Sequence, residues 1–199
     1  MTVIALDNGG LLLHSPTQID AKLREELCGL GPVVAVVAPS WWHDLYLRET
    51  VRSFPEARLY RIPATWSGSL ATSLLGDEPP ALWENDLEQC HVTGIGLFLD
   101  EVVFYHRASR SVIVADLLFN ISRNDAWLTR ALAGIVIGPY PGCRFAHLYR
   151  PLIFDHRRFR ASIERILSWN FDQIVVGHGA VVQSGGKDVF RTAFQWLLN

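Results

Sequence analysis

Short apolar runs closed by turn residues alternate along the chain with stretches in which apolar positions recur every three or four residues. This is the pattern of strands interleaved with amphipathic helices. Residues 3–6 (VIAL) and 10–15 (GLLLHS) flank Asp7-Asn8-Gly9-Gly10 and predict an antiparallel hairpin. Ile19, Leu23, Leu27 and Leu30 then fall at helical spacing in a segment that ends on glycine. VVAVVA at 33–38 reads as a buried strand, WWHDLYLRETVRSF as a loop entering a helix close to His43 and Asp44, and ARLYRI as a further strand. Residues 63–86, with Pro63, Gly68, Gly76, Pro79 and Pro80, read as loop with a short helix around 65–74.

The second half opens with EVVFYH and SVIVADLLF, joined by Arg107-Ala108-Ser109-Arg110, which predicts another antiparallel hairpin. In its second strand Val112, Val114 and Asp116 share a face, so Asp116 ends an otherwise apolar row. RNDAWLTRALAGI at 123–135 looks helical and 138–151 is a loop. Asp155 is placed to cap a helix carrying Phe159, Ile163, Ile166 and Leu167 on one side. DQIVV is the last strand, expected to stop at Gly177, and a helix with Val189, Phe190, Ala193, Phe194 and Leu197 closes the sequence. No repeat, low-complexity tract or linker divides it, so residues 1–199 are read as one domain of the α/β class.

A formal net charge of -2 gives no footprint for nucleic acid. Cys28, Cys90 and Cys143 are odd in number and widely spaced, which suggests neither a disulfide framework nor a thiolate zinc site and fits a reducing cytoplasm. The N-terminus lacks the basic and apolar regions of a signal peptide, and no apolar run approaches the roughly 20 residues of a membrane span. A cytoplasmic protein without membrane or nucleic-acid partners is therefore expected, its oligomeric state left open.

Three buried-looking strands end on side chains able to bind a metal: VVAVVAPSWWHD, SVIVAD and QIVVGHG. Strand ends are where sites gather in α/β proteins. Nitrogen and oxygen donors converging from several of them are what a divalent cation requires, with one position open to water. His43, Asp44, Asp116 and His178 meet that need in composition, although a histidine between two glycines is equally well a polar turn residue. His106, at the end of the alternating row Val102, Phe104, His106, is a weaker candidate for a proton-transfer role beside its plain reading as a hairpin-end residue. His14, His91, His147 and His156 are read as structural. Trp41 and Trp42 are read as core or pocket wall, and Arg107, Arg110, Arg144 and Arg150 as solvated loop residues or as a means of recognising an anion. Thr93-Gly94-Ile95-Gly96 lacks the third glycine and following helix of a dinucleotide fingerprint, and neither a phosphate-binding loop nor a serine nucleophile elbow is present.

The order of elements and these motifs resemble the metallo-β-lactamase superfamily over nearly the whole chain. The resemblance implies a four-layer αβ/βα sandwich, two mixed sheets with outer helices, and metal-dependent hydrolysis. Residues 115–119 (ADLLF) match the segment carrying the metal-bridging aspartate, with Ala115 in place of glycine, and Gly177-His178-Gly179 matches the last histidine ligand. The first motif, H-x-H-x-D-H, is altered: Pro39 and Trp41 stand at its first two histidines, and His43-Asp44 where aspartate then histidine are usual. The family's third histidine falls near Leu97. This altered motif and the HRASR turn at 106–110 resemble a divergent bacterial branch whose domain has no known function.

Every position of the family's first metal set is thus apolar or proline, while each position of the second keeps a potential ligand. The resemblance therefore implies a single cation held by His43, Asp116 and His178, with Asp44 as fourth ligand or as catalytic base. Zinc ranks ahead of iron, although two histidines with carboxylates are also a nonheme iron set. The expected activity is hydrolysis of a small-molecule ester, thioester or phosphodiester. The alternatives are a metal-free, noncatalytic scaffold that binds a small molecule or a protein partner, and an iron-dependent oxidoreductase.

Overall fold

A computed structural model describes residues 1–63, 72–96, 99–121, 134 and 142–199. Leu97, most of the helix expected at 65–74 and all but Gly134 of the one at 123–135 lie outside them. Strands β1 (Thr2–Ala5) and β2 (Leu11–His14) form the expected hairpin, with Gly9 at a φ of 82° in its turn. β2 pairs in parallel with β3 (Val33–Ala38), β3 with β4 (Arg58–Arg61) and β4 with β5 (Ser73–Leu74), giving a mixed sheet in the order β1-β2-β3-β4-β5. Ser73 and Leu74 are strand rather than the end of a helix.

The second sheet joins β6 (Leu87–Val92), β7 (Glu101–His106), β8 (Ser111–Ile121) and β10 (Gln173–Gly179) in the order β10-β8-β7-β6, with β9 (Gly142–Arg144) paired to the far end of β8. β10 runs parallel to β8, and the other pairs are antiparallel.

Alternation along the strands sorts side chains into three apolar layers. Leu12, Ala35, Val37 and Tyr60 of the first sheet meet Leu87, Val102, Phe104 and Ile113 of the second. On the outer face of the first sheet, Leu13, Val36 and Ala38 pack on Leu27 and Leu47 from the helices Ala21–Leu30 and Leu47–Ser53. Outside the second, Val112, Val114, Ile174 and Val176 pack on Phe159, Ile163, Ile166 and Phe190 from the helices His156–Ser168 and Gly186–Ala193. The order helix, sheet, sheet, helix is the expected four-layer sandwich. Asp155 caps the third of these helices by accepting from Arg157 and Arg158 N–H.

Candidate metal centre

The loop after β3 is tied to the start of β7: Val102 N–H donates to Pro39 O at 2.9 Å, and Ser40 forms a β-bridge with Glu101. Ser40 is thereby buried between the sheets, where its hydroxyl donates to Asp116 Oδ2 at 2.7 Å. His43 follows three residues later and places Nε2 at 3.3 Å from Asp116 Oδ1. His178, from the end of β10, places its Nε2 at 3.2 Å from the same oxygen. The two imidazoles meet edge to face, 5.5 Å between centroids.

Three of the predicted residues, from the loop after β3, the middle of β8 and the end of β10, thus converge with all ligand atoms within 4.8 Å of one another. Donors about 2.1 Å from a tetrahedral ion are about 3.4 Å apart, close to the 3.2 and 3.3 Å separations here. The donor set fits a divalent cation. Burial by itself would raise the Asp116 carboxyl. Hydrogen bonds from His178, His43 and Ser40, with the charge of His43, outweigh it and hold the group well below the usual carboxylate range, so it is ionised and available as a ligand.

Strand β10 does not stop at Gly177. It continues to Gly179 after a register shift, Val176 facing Val114 but His178 facing Phe119. Residues 115–118 of β8 therefore have only Gly177 opposite them, and β8 runs on to Ile121 instead of ending at Asp116. Backbone donors that lose ladder partners inside a protein need others, and Glu101 supplies them. Its carboxylate accepts from Ala115, Asp116 and Leu117 N–H at 2.7, 2.7 and 2.8 Å. Burial and the charge of Asp116 push the Glu101 carboxyl up to about 8 against the pull of these three donors. Both oxygens act as acceptors, Oε1 from Ala115 N–H and Oε2 from Asp116 and Leu117 N–H.

Asp44 does not join the group of three, and burial raises its carboxyl. His106 lies five residues along β7 from Glu101, about 17 Å at the usual rise of a strand, with Nδ1 bonded to Ser109 Oγ at 2.7 Å. Its setting is the hairpin turn, away from the three converging residues. Pro39 and Trp41 bring no ligand atom.

Three residues of the site were not anticipated. Ser40 and Glu101 act only through Asp116 and its strand, partners 76 and 15 residues away. His14, read as structural, is buried at the end of β2 and pushed down to about 3 by burial and then by the charge of His43. His14 Nε2 and the hydroxyl of Ser15, whose φ is 54°, have no hydrogen-bond partner among the described residues. The wall on the other side is aromatic: Phe119 stacks on His178 at 5.4 Å, and Tyr149 meets Phe119 edge-on at 6.1 Å. The Tyr149 phenol is raised by burial, then by the charges of Asp116 and Glu101.

Residues 1–135 match the sequence model of a domain of unknown function, DUF4336. No curated protein matches the sequence. Among solved structures, a metallo-β-lactamase from Pontibacter korlensis superposes with a TM-score of 0.61 at 15% identity, over 99% of this chain and 86% of that one. A di-iron-bound form of TTHA1623 gives 0.59 at 17% identity, over 94% and 90%. The metal-soaked flavodiiron core of Flv1 from Synechocystis sp. PCC6803 gives 0.60 at 12% identity, over 98% of this chain and 51% of that one. The fold is of the metallo-β-lactamase type. No helix among the described residues is long and apolar enough to cross a membrane.

Proposed function

The chain belongs to the DUF4336 family, and from that premise and the geometry at the sheet rim we propose that it is a metal-dependent hydrolase using one cation on a small-molecule substrate. The observation that carries this reading is the convergence of His43, Asp116 and His178 on one point. A divalent cation there supplies Lewis acidity toward water and toward a scissile carbonyl or phosphoryl oxygen.

The residues themselves divide the work of holding and orienting. Ser40 occupies Asp116 Oδ2, which leaves Oδ1 as the oxygen facing both imidazoles. His178 is about half exposed and His43 largely enclosed, so the centre opens to solvent on the His178 side. Asp44, next to His43, is the residue we assign as fourth ligand or as the base that takes a proton from water. With Pro39 and Trp41 at positions that hold ligands in dinuclear relatives, the site is read as mononuclear. Zinc is the first choice of cation. The triad of two histidines and one carboxylate is also the nonheme iron set, which supports iron-dependent redox chemistry as the second reading.

Metal analysis of protein purified without chelators, combined with assays on ester, thioester and phosphodiester substrates, tests both. Bound zinc with turnover that disappears together with the metal in His178→Ala is the expected result. Bound iron without hydrolysis would favour the oxidoreductase, and protein that takes up neither metal would leave the noncatalytic scaffold.

A further inference from the structure

Strand register extends the face that carries His178 across two neighbouring strands. His178 lies opposite Phe119 in the β10–β8 pair, and Phe119 lies opposite Arg144 in the β8–β9 pair. Directly opposed residues project from the same face of a sheet, so the three form one cross-strand row. The stacked contact of Phe119 on His178, with ring planes 15° apart, confirms the first step of that row in the side chains. The second step follows from alternation: Cys143 packs toward the outer helix layer, which turns its neighbour Arg144 to the opposite face. Strands are about 4.8 Å apart, and two such steps place Arg144 about 10 Å from His178 at the backbone, within the reach of an arginine side chain and a short ligand.

Arg144 is exposed, and its side chain makes no hydrogen bond or ion pair among the described residues. A guanidinium with no carboxylate partner among the described residues is free to pair with an anion from solution.

We propose that Arg144 recognises an oxyanion, carboxylate or phosphate, on a substrate whose reacting group sits at the His43, Asp116 and His178 centre. This rests on the metal-dependent reading above and narrows its substrates to small molecules with a negative group a few bonds from the scissile one. The planar fork of arginine suits either anion in a two-point contact. The hydrolysed bond lies at the metal ligands, so Arg144 acts on affinity for the anionic substrate and not on the bond itself.

Calorimetric titration of the zinc-loaded full chain with butyrate, glutarate and 4-phosphonobutyrate tests the assignment without needing the natural substrate. Glutarate and the phosphonate add a second anionic group, of carboxylate and phosphate type respectively, to the single carboxylate of butyrate. At least one of them should bind about tenfold more tightly than butyrate, as one charge-assisted contact allows, and which one does so identifies the anion. Arg144→Ala should remove that gain and leave butyrate unchanged, Arg144→Lys should keep part of it, and Arg107→Ala, at the distant hairpin turn, should keep all of it. Equal binding of all three ligands, or a gain that survives Arg144→Ala, would overturn the assignment. Failure of the metal reading shows separately, as absence of zinc uptake. The anion gain and its loss in Arg144→Ala are then measured on the zinc-free chain, where their presence retains the Arg144 assignment and their absence rejects it.

Discussion

Glu101 illustrates how a single buried carboxylate shapes the centre without touching a ligand atom. It accepts three consecutive backbone N–H groups from residues 115–117, the stretch of β8 that carries Asp116. Replacing one oxygen by an amide, as in Glu101→Gln, turns a donor toward at least one of these N–H groups and leaves it unpartnered. A buried unsatisfied group costs about 1 to 3 kcal/mol, and for a chain of this size each kcal/mol moves the melting midpoint by roughly 2 to 4 °C. Glu101→Gln should therefore melt about 2 to 12 °C below wild type with chelator present. An unchanged metal-free midpoint would show that the carboxylate is not what holds this stretch. The sequence displays Asp116 and His178 because each follows an apolar strand and could be matched to a motif. It conceals Glu101, Ser40 and His14 because each reads locally as an ordinary part of a strand or turn. Their roles depend on a contact made across the fold, which periodicity does not encode.

Between β8 and β10 the parallel ladder breaks around Gly177, and both glycines beside His178 are explained by that break. A Cβ on Gly177 would lie 2.6 Å from Ala115 O, and one on Gly179, at a φ of 111°, would lie 2.1 Å from Asn120 O. The two strands approach too closely there for any side chain. Gly179→Ala should push the end of β10 away from β8 and carry His178 with it. A forbidden backbone angle costs about 1 to 3 kcal/mol before the collision is counted, so weaker metal binding and a lower midpoint should appear together in one titration and melt. Wild-type metal affinity in Gly179→Ala would mean that the position of His178 does not depend on this strand contact. Elements with an alternating or continuous apolar pattern, such as VVAVVA and the EVVFYH hairpin, are legible in the sequence for the same physical reason that they form. β6 was not legible. In LEQCHV the buried Gln89 is satisfied by Trp83 Nε1–H, Gly76 O and Glu78 O, so a polar residue occupies a core position and breaks the expected pattern.

At the scale of the whole molecule the three candidate ligands come from both sheets: His43 follows β3 of the first, while Asp116 and His178 belong to β8 and β10 of the second. A cation that joins them cross-links the two halves of the sandwich and binds only the folded chain. Such binding adds about 2.7 kcal/mol when the free cation is at 100 times its dissociation constant, which corresponds to a rise in melting midpoint of about 5 to 10 °C for this size. Elemental analysis should find close to one transition metal per chain, and two tightly held equivalents would refute the mononuclear reading. Asp116→Asn preserves side-chain volume and an oxygen for Ser40 but removes the charge, so it should erase the metal-dependent rise, and it should also lower the chelated midpoint because the interactions that favour the ionised carboxyl are lost. If Asp116→Asn retains the full rise, the cation binds elsewhere on the molecule. If chelator leaves the wild-type midpoint unchanged and the protein carries no metal, the two sheets are held by their apolar layers alone and the noncatalytic scaffold is the correct account.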